Sequence, residues 1–199
     1  METQPHLSEY ANWKADVKNN NKESKKRVET YGLVEFDTTN CKKIVKESVG
    51  LVLSTIGEVF KQKINVKVGR VDRHLGFGYC RVNEETNGRN VVISENVEPE
   101  YISEGITHEL GHALEGSLKA GAKELGFELC KEGQQTYADL ISVYLLHPEI
   151  LRAYWQLPLV DNVFRSLERV FVDVESSELD EMREKLKTIL DNFKTKEED

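Results

Sequence analysis

His108 and His112 stand four residues apart, with Glu109 directly after the first, in the stretch ITHELGHALEG from Ile106 to Gly116. That spacing does chemical work only on an α-helix. There, positions i and i+4 share a face, so two imidazoles reach one point in space and Glu109 sits beside it. The flanking residues agree with a helix: VEPEYISEGITHELGHALEGSLKAG places Pro99 near a helix start and runs at helical spacing through both histidines. This is the geometry of a zinc site with a base next to it. The rest of the chain must therefore hold one helix on a rigid body and bring a third ligand to it.

A catalytic zinc takes three protein ligands and keeps a fourth position for water, whose pKa it lowers to about 7. On this reading His108 and His112 are metal ligands. Glu109 is the general base that takes a proton from the attacking water and passes it to the leaving amine. Two surface histidines with an accidental glutamate between them are the plain alternative. With five histidines in 199 residues, chance yields the spacing in on the order of one such chain in a hundred. Gly111 and Ala113 leave room for close packing around the helix.

Upstream, the residues alternate between patterns. DTTN, Asp37 to Asn40, offers N-cap side chains. Ile44, Val45, Val49, Val52, Leu53, Ile56, Val59 and Phe60 then recur at helical spacing, which predicts an amphipathic helix. INVKVGRV from Ile64, LGFGYCRV from Leu75 and NVVISENV from Asn90 read as strands, the last two joined by NEETNG, whose Asn-Gly pair is a hairpin turn signal. Downstream, QQTYADLISVYLLHPEI predicts a helix ended by Pro148. DNVFRSLERVF and SSELDEMREKLKTILDNF predict two more, the last with Ser177 as N-cap and a stripe of Leu179, Met182, Leu186, Ile189 and Phe193. His147 falls at a helix end, where it suits a C-terminal cap better than a ligand.

The fold class predicted is α+β, with residues 1–30 a polar extension and 31–199 one domain of ordinary size. Net charge is −8, and the basic run KNNNKESKKR lacks interleaved aromatics, so neither nucleic acid nor a membrane is indicated as a partner. No window approaches the roughly 18 continuous apolar residues of a membrane helix, and the first residues lack the apolar core of a signal peptide, which predicts a cytoplasmic start. Cys41, Cys80 and Cys130 are widely spaced and odd in number, predicting reduced thiols rather than a disulfide framework.

HELGHALEG together with YADLISVYLLHPE resembles the lethal-factor-like branch of the zincin metallopeptidases, which includes Pro-Pro endopeptidases and the peptidase domains of toxins and phage-associated proteins. The resemblance covers roughly Tyr31 to Tyr154, and the histidine motif is its specific part. It implies a zincin-like fold: a supporting helix, a small twisted sheet, an active-site helix and a helical C-terminal part. It also implies a Zn2+ cofactor, a peptide or protein substrate, and export or phage association as contexts.

In that branch the third ligand is a glutamate near the start of the second helix, with an acidic residue four positions later. Here Gln135 occupies the ligand position and Asp139 the later one. A neutral amide oxygen is a weaker ligand than a carboxylate. Asp139 therefore ranks first, as ligand or as the group that orients a histidine, followed by Gln135 and then Glu132. The oxyanion donor is unassigned among Tyr137, Tyr79 and His74. Zincins hold substrate against an edge strand, a role that the order along the chain gives to Asn90–Ser94. Gln135 and the missing tyrosine motivate an alternative function, a catalytically impaired zincin fold kept as a binding or structural module.

Overall fold

A computed structural model of the chain describes residues 27–39, 41–72, 76–98, 101–126, 134–154 and 156–197. His74, Cys130, Glu132 and most of the polar extension lie outside them. The elements run in the order β1 (Val28–Tyr31), β2 (Val34–Asp37), α1 (Lys43–Ile56), a 3-10 turn (Gly57–Val59), β3 (Ile64–Gly69), β4 (Gly78–Asn83) and β5 (Gly88–Ser94). The helices α2 (Ile102–Glu124), α3 (Gln134–Leu146), α4 (Pro148–Ala153), α5 (Pro158–Val170) and α6 (Ser176–Glu197) follow.

The fold is α+β, with one mixed sheet in the spatial order β1-β2-β3-β5-β4. β2, β3 and β5 are parallel, and β1 and β4 are antiparallel at the two edges. A parallel pair needs a crossover, and α1 supplies it between β2 and β3. Alternate residues of the parallel strands, Val34, Phe36, Ile64, Val66, Val91 and Ile93, are buried and share one core with Val45, Val49, Val52, Leu53 and Ile56 of α1 and with Ile106, Leu110 and Leu114 of α2. α1 packs on α6, whereas α2 packs on α3 and α5.

Several expectations are corrected. Asn90–Ser94 is not an edge: β5 is hydrogen-bonded to β3 on one side and β4 on the other. The hairpin folds β4 outward, so the free edge is Gly78–Asn83. β1 and β2 carry too many charged residues in four-residue strands to stand out in the sequence, and they form a hairpin turned at Gly32, whose φ of 57° suits glycine. β1 begins at Val28, so a strand crosses the boundary expected at residue 30. α1 starts without a side-chain cap at Lys42; Asp37 instead accepts a hydrogen bond from Thr39 N at 3.0 Å, closing a turn. Ser177 lies inside α6, and the helix start is held by Glu178, whose carboxylate accepts from Glu175 N at 3.0 Å. Pro148 ends one helix by opening another, as the first residue of α4.

Candidate metal centre

The site rests on how tightly α2 is seated. Its buried face of Ile102, Ile106, Leu110, Leu114 and Leu118 lies in the core. Two glycines allow close approach on the remaining sides. A Cβ on Gly105 would lie 2.8 Å from Phe77 Cβ, and one on Gly111 would lie 2.9 Å from both Cα and the carbonyl oxygen of Ala138 in α3. Thr107 Oγ1 and Ser142 Oγ, both buried, meet at 2.6 Å, one further tie between α2 and α3. The two helices run antiparallel, with Thr107 beside Ser142 and Gly111 beside Ala138.

This seating brings residues 31 positions apart into contact at the histidines. His108 Nδ1 lies 2.8 Å from Asp139 Oδ1, with the Asp139 side chain 64 % exposed. The His112 ring stands edge-on to His108 with centroids 4.8 Å apart. With Nδ1–H donating to the carboxylate, Nε2 of His108 is the nitrogen left for a metal, which is how a carboxylate fixes both the tautomer and the direction of a ligand histidine. Asp139 thus stands where it orients His108, one of the two roles open to it from the sequence.

Glu109 packs under the sheet edge, against the start of β4. The residue is 4 % exposed, and Oε2 is buried without a hydrogen-bond partner among the described residues. Burial pushes its carboxyl up to about 8. The space it occupies exists because β4 begins with glycine: a Cβ on Gly78 would come within 2.9 Å of Glu109 Cγ and 2.2 Å of Val92 O. No pattern argument singled out Gly78, because its role depends on a helix that follows it by some thirty residues.

Further along the helix, Glu115 is buried and paired with Lys119, whose ammonium sits 4.9 Å from the centre of the Tyr137 ring. Sequence reasoning passed over Glu115 and Lys119, although their spacing from the histidines puts all four on one helical stripe. Tyr137 is buried, and Tyr79 lies under the Arg81 guanidinium at 4.7 Å, so both proposed oxyanion donors already engage a cation. His147 sits between Glu104 (4.0 Å), one turn before His108 on α2, and Glu149 (3.6 Å). Burial raises Cys80 to about 12 and Cys41 to about 11, consistent with inert thiols, and both are free.

Two imidazoles on one face, one of them held by a carboxylate, are donors of the kind zinc takes, and they make two of the three protein ligands that a catalytic zinc needs. Among the described residues, no group of three or more histidine, cysteine or carboxylate side chains is arranged to hold a metal. Gln135 is on the first turn of α3, but its side chain, like Glu132, lies outside the described residues. No protein-family model, curated protein or solved structure matches the chain. Among the described residues, no helix is long and apolar enough to cross a membrane.

Proposed function

We propose that the chain is a zinc-dependent endopeptidase with a zincin-like arrangement, and the observation that carries this reading is the 2.8 Å contact between His108 Nδ1 and Asp139 with His112 on the same helical face. His108 and His112 would hold the metal, and Asp139 orients His108. The third donor would come from the opening turn of α3 at Gln135 or from Glu132 in the connection before it. Bound zinc supplies a Lewis acid and a water acidic enough to be a nucleophile at neutral pH.

The chain's own residues do the rest. Glu109 would move the proton: its carboxyl, raised to about 8 by burial, accepts one from water when ionised and returns it to the leaving amine. Burial keeps bulk water from competing for that carboxyl. The free edge of β4, Gly78–Asn83, offers backbone groups to an extended peptide alongside α2, so strand addition there would align a scissile bond with the histidines. The glutamine at 135 favours a second reading, a zincin fold that binds without turning over.

Elemental analysis after zinc is offered at neutral pH, combined with hydrolysis of a broad peptide library, tests both readings. The endopeptidase reading requires about one zinc per chain, lost in His108→Ala and His112→Ala, and turnover that disappears in Glu109→Gln while zinc is retained. Zinc without turnover in the parent protein selects the binding module. No zinc in the parent refutes the metal centre altogether.

A further inference from the structure

α2 and α3 are tied at several levels along their antiparallel contact. At one end is the buried Thr107–Ser142 hydroxyl pair; at the middle, Gly111 sets the closest approach to Ala138. A close approach resists compression but not separation. At the other end, the Lys119 ammonium donates to Oε1 of Glu115 and lies against the Tyr137 ring. Tyr137 is 4 % exposed and belongs to the opening turn of α3, two residues before Asp139. The His108–Asp139 contact falls between the two ties.

We propose that Lys119 is a positioning residue: clamped by Glu115 and bearing on Tyr137, it holds the opening turn of α3 against α2 and so keeps Asp139 on His108. The proposal rests on reading His108 as a metal ligand. Its chemistry is a cation shared between a buried carboxylate and an aromatic face, an arrangement in which each partner restricts the other two. Glu115 fixes the ammonium by a charge-assisted hydrogen bond within one helical turn, and the fixed ammonium then fixes the ring.

Charge and position predict opposite signs for the loss of Lys119. It lies seven residues beyond His112, about 10 Å along the helix axis. A cation at that distance disfavours a bound metal ion, and removing it leaves Glu115 as a net negative charge. By electrostatics alone, Lys119→Met therefore tightens zinc. Loss of positioning weakens it, because Asp139 no longer holds His108 in its ligating orientation. Met keeps the apolar stem of the lysine, so packing is preserved.

The test is a chelator-competition titration of zinc on the full chain and on Lys119→Met, Lys119→Arg, Asp139→Asn and the Lys119→Met/Asp139→Asn double variant, with amide hydrogen exchange of the metal-free proteins beside it. Lys119→Met is expected to weaken zinc about fivefold, with Lys119→Arg restoring most of the loss. In the Asp139→Asn background the same change is expected to cause no further weakening, since a residue that acts through Asp139 has nothing left to act through. In metal-free protein, exchange at Ala138 to Ile141 is expected to quicken about fivefold in Lys119→Met and to recover in Lys119→Arg. Tighter or unchanged zinc binding in Lys119→Met, or an equal loss in both backgrounds, overturns the proposal. Should the parent chain bind no zinc, the metal reading fails on its own, and exchange alone decides: unchanged rates at Ala138 to Ile141 refute the clamp, and faster rates support it.

Discussion

Gly111→Ala probes the contact on which the site geometry depends. The new methyl carbon would sit 2.9 Å from Cα and 2.9 Å from the carbonyl oxygen of Ala138, both backbone atoms that cannot rotate away. Carbon atoms pack at about 3.5–4.0 Å, so α2 and α3 must part by about 0.5–1 Å. Overpacking of this kind costs about 1–3 kcal/mol, while replacing a mid-helix glycine with alanine returns up to about 1 kcal/mol through backbone entropy. A net loss of up to about 2.5 kcal/mol follows, which in a chain of this length lowers Tm by up to about 10 °C. Gly116 is the internal control: it is on the same helix, exposed, and a Cβ there meets nothing within 4 Å. Gly116→Ala is expected to raise Tm by up to about 4 °C, because only the propensity gain remains. Thermal unfolding of metal-free protein followed by circular dichroism reads both. If Gly111→Ala is as stable as Gly116→Ala, the close approach of the two helices is wrong, and with it the route by which Asp139 reaches His108.

Leu110 is fully buried between α2 and the sheet, so Leu110→Ala is expected to cost about 2–5 kcal/mol in urea denaturation; a loss below about 1 kcal/mol would mean that the helix is not seated in the core. Thr107→Val deprives the buried Ser142 hydroxyl of its 2.6 Å partner and is expected to cost about 1–3 kcal/mol, of which Thr107→Val/Ser142→Ala regains a part; a strictly additive double variant would show that the pair is not coupled. Cys41 and Cys80 have thiols raised by burial to about 11 and about 12, so the reactive thiolate is scarce at pH 8 and grows only towards those values. Alkylation at pH 8, mapped by peptide mass spectrometry, is expected to label both slowly in folded protein and promptly in denaturant, and equal rates in the two states would count against their burial.

What the sequence by itself determined is local. Two histidines four apart, set in a run of helical spacing, point to a helix, because a helix brings them within one turn, whereas a strand would hold them on one face but about 13 Å apart. The stripes from Ile44 to Ile56 and from Leu179 to Leu186 specify which sides of α1 and α6 are buried. Asn87-Gly88 specifies the hairpin, and Asn87 indeed takes a positive φ of 51°. These features repeat within a few residues, so periodicity and turn chemistry suffice to expose them. The tertiary structure decided everything that depends on distant partners. Strand order is one case: β4 and β5 both read as strands of one hairpin, and only pairing of β5 with β3 makes β4 the free edge. The candidate centre is another. Asp139 stands on a different helix from His108, and its place depends on how closely α3 approaches Gly111. Glu109 is a motif residue by spacing, but its burial comes from the missing side chain at Gly78. Contacts of this kind are set by the summed packing of a whole core, and no single stretch of chain carries a signal for them.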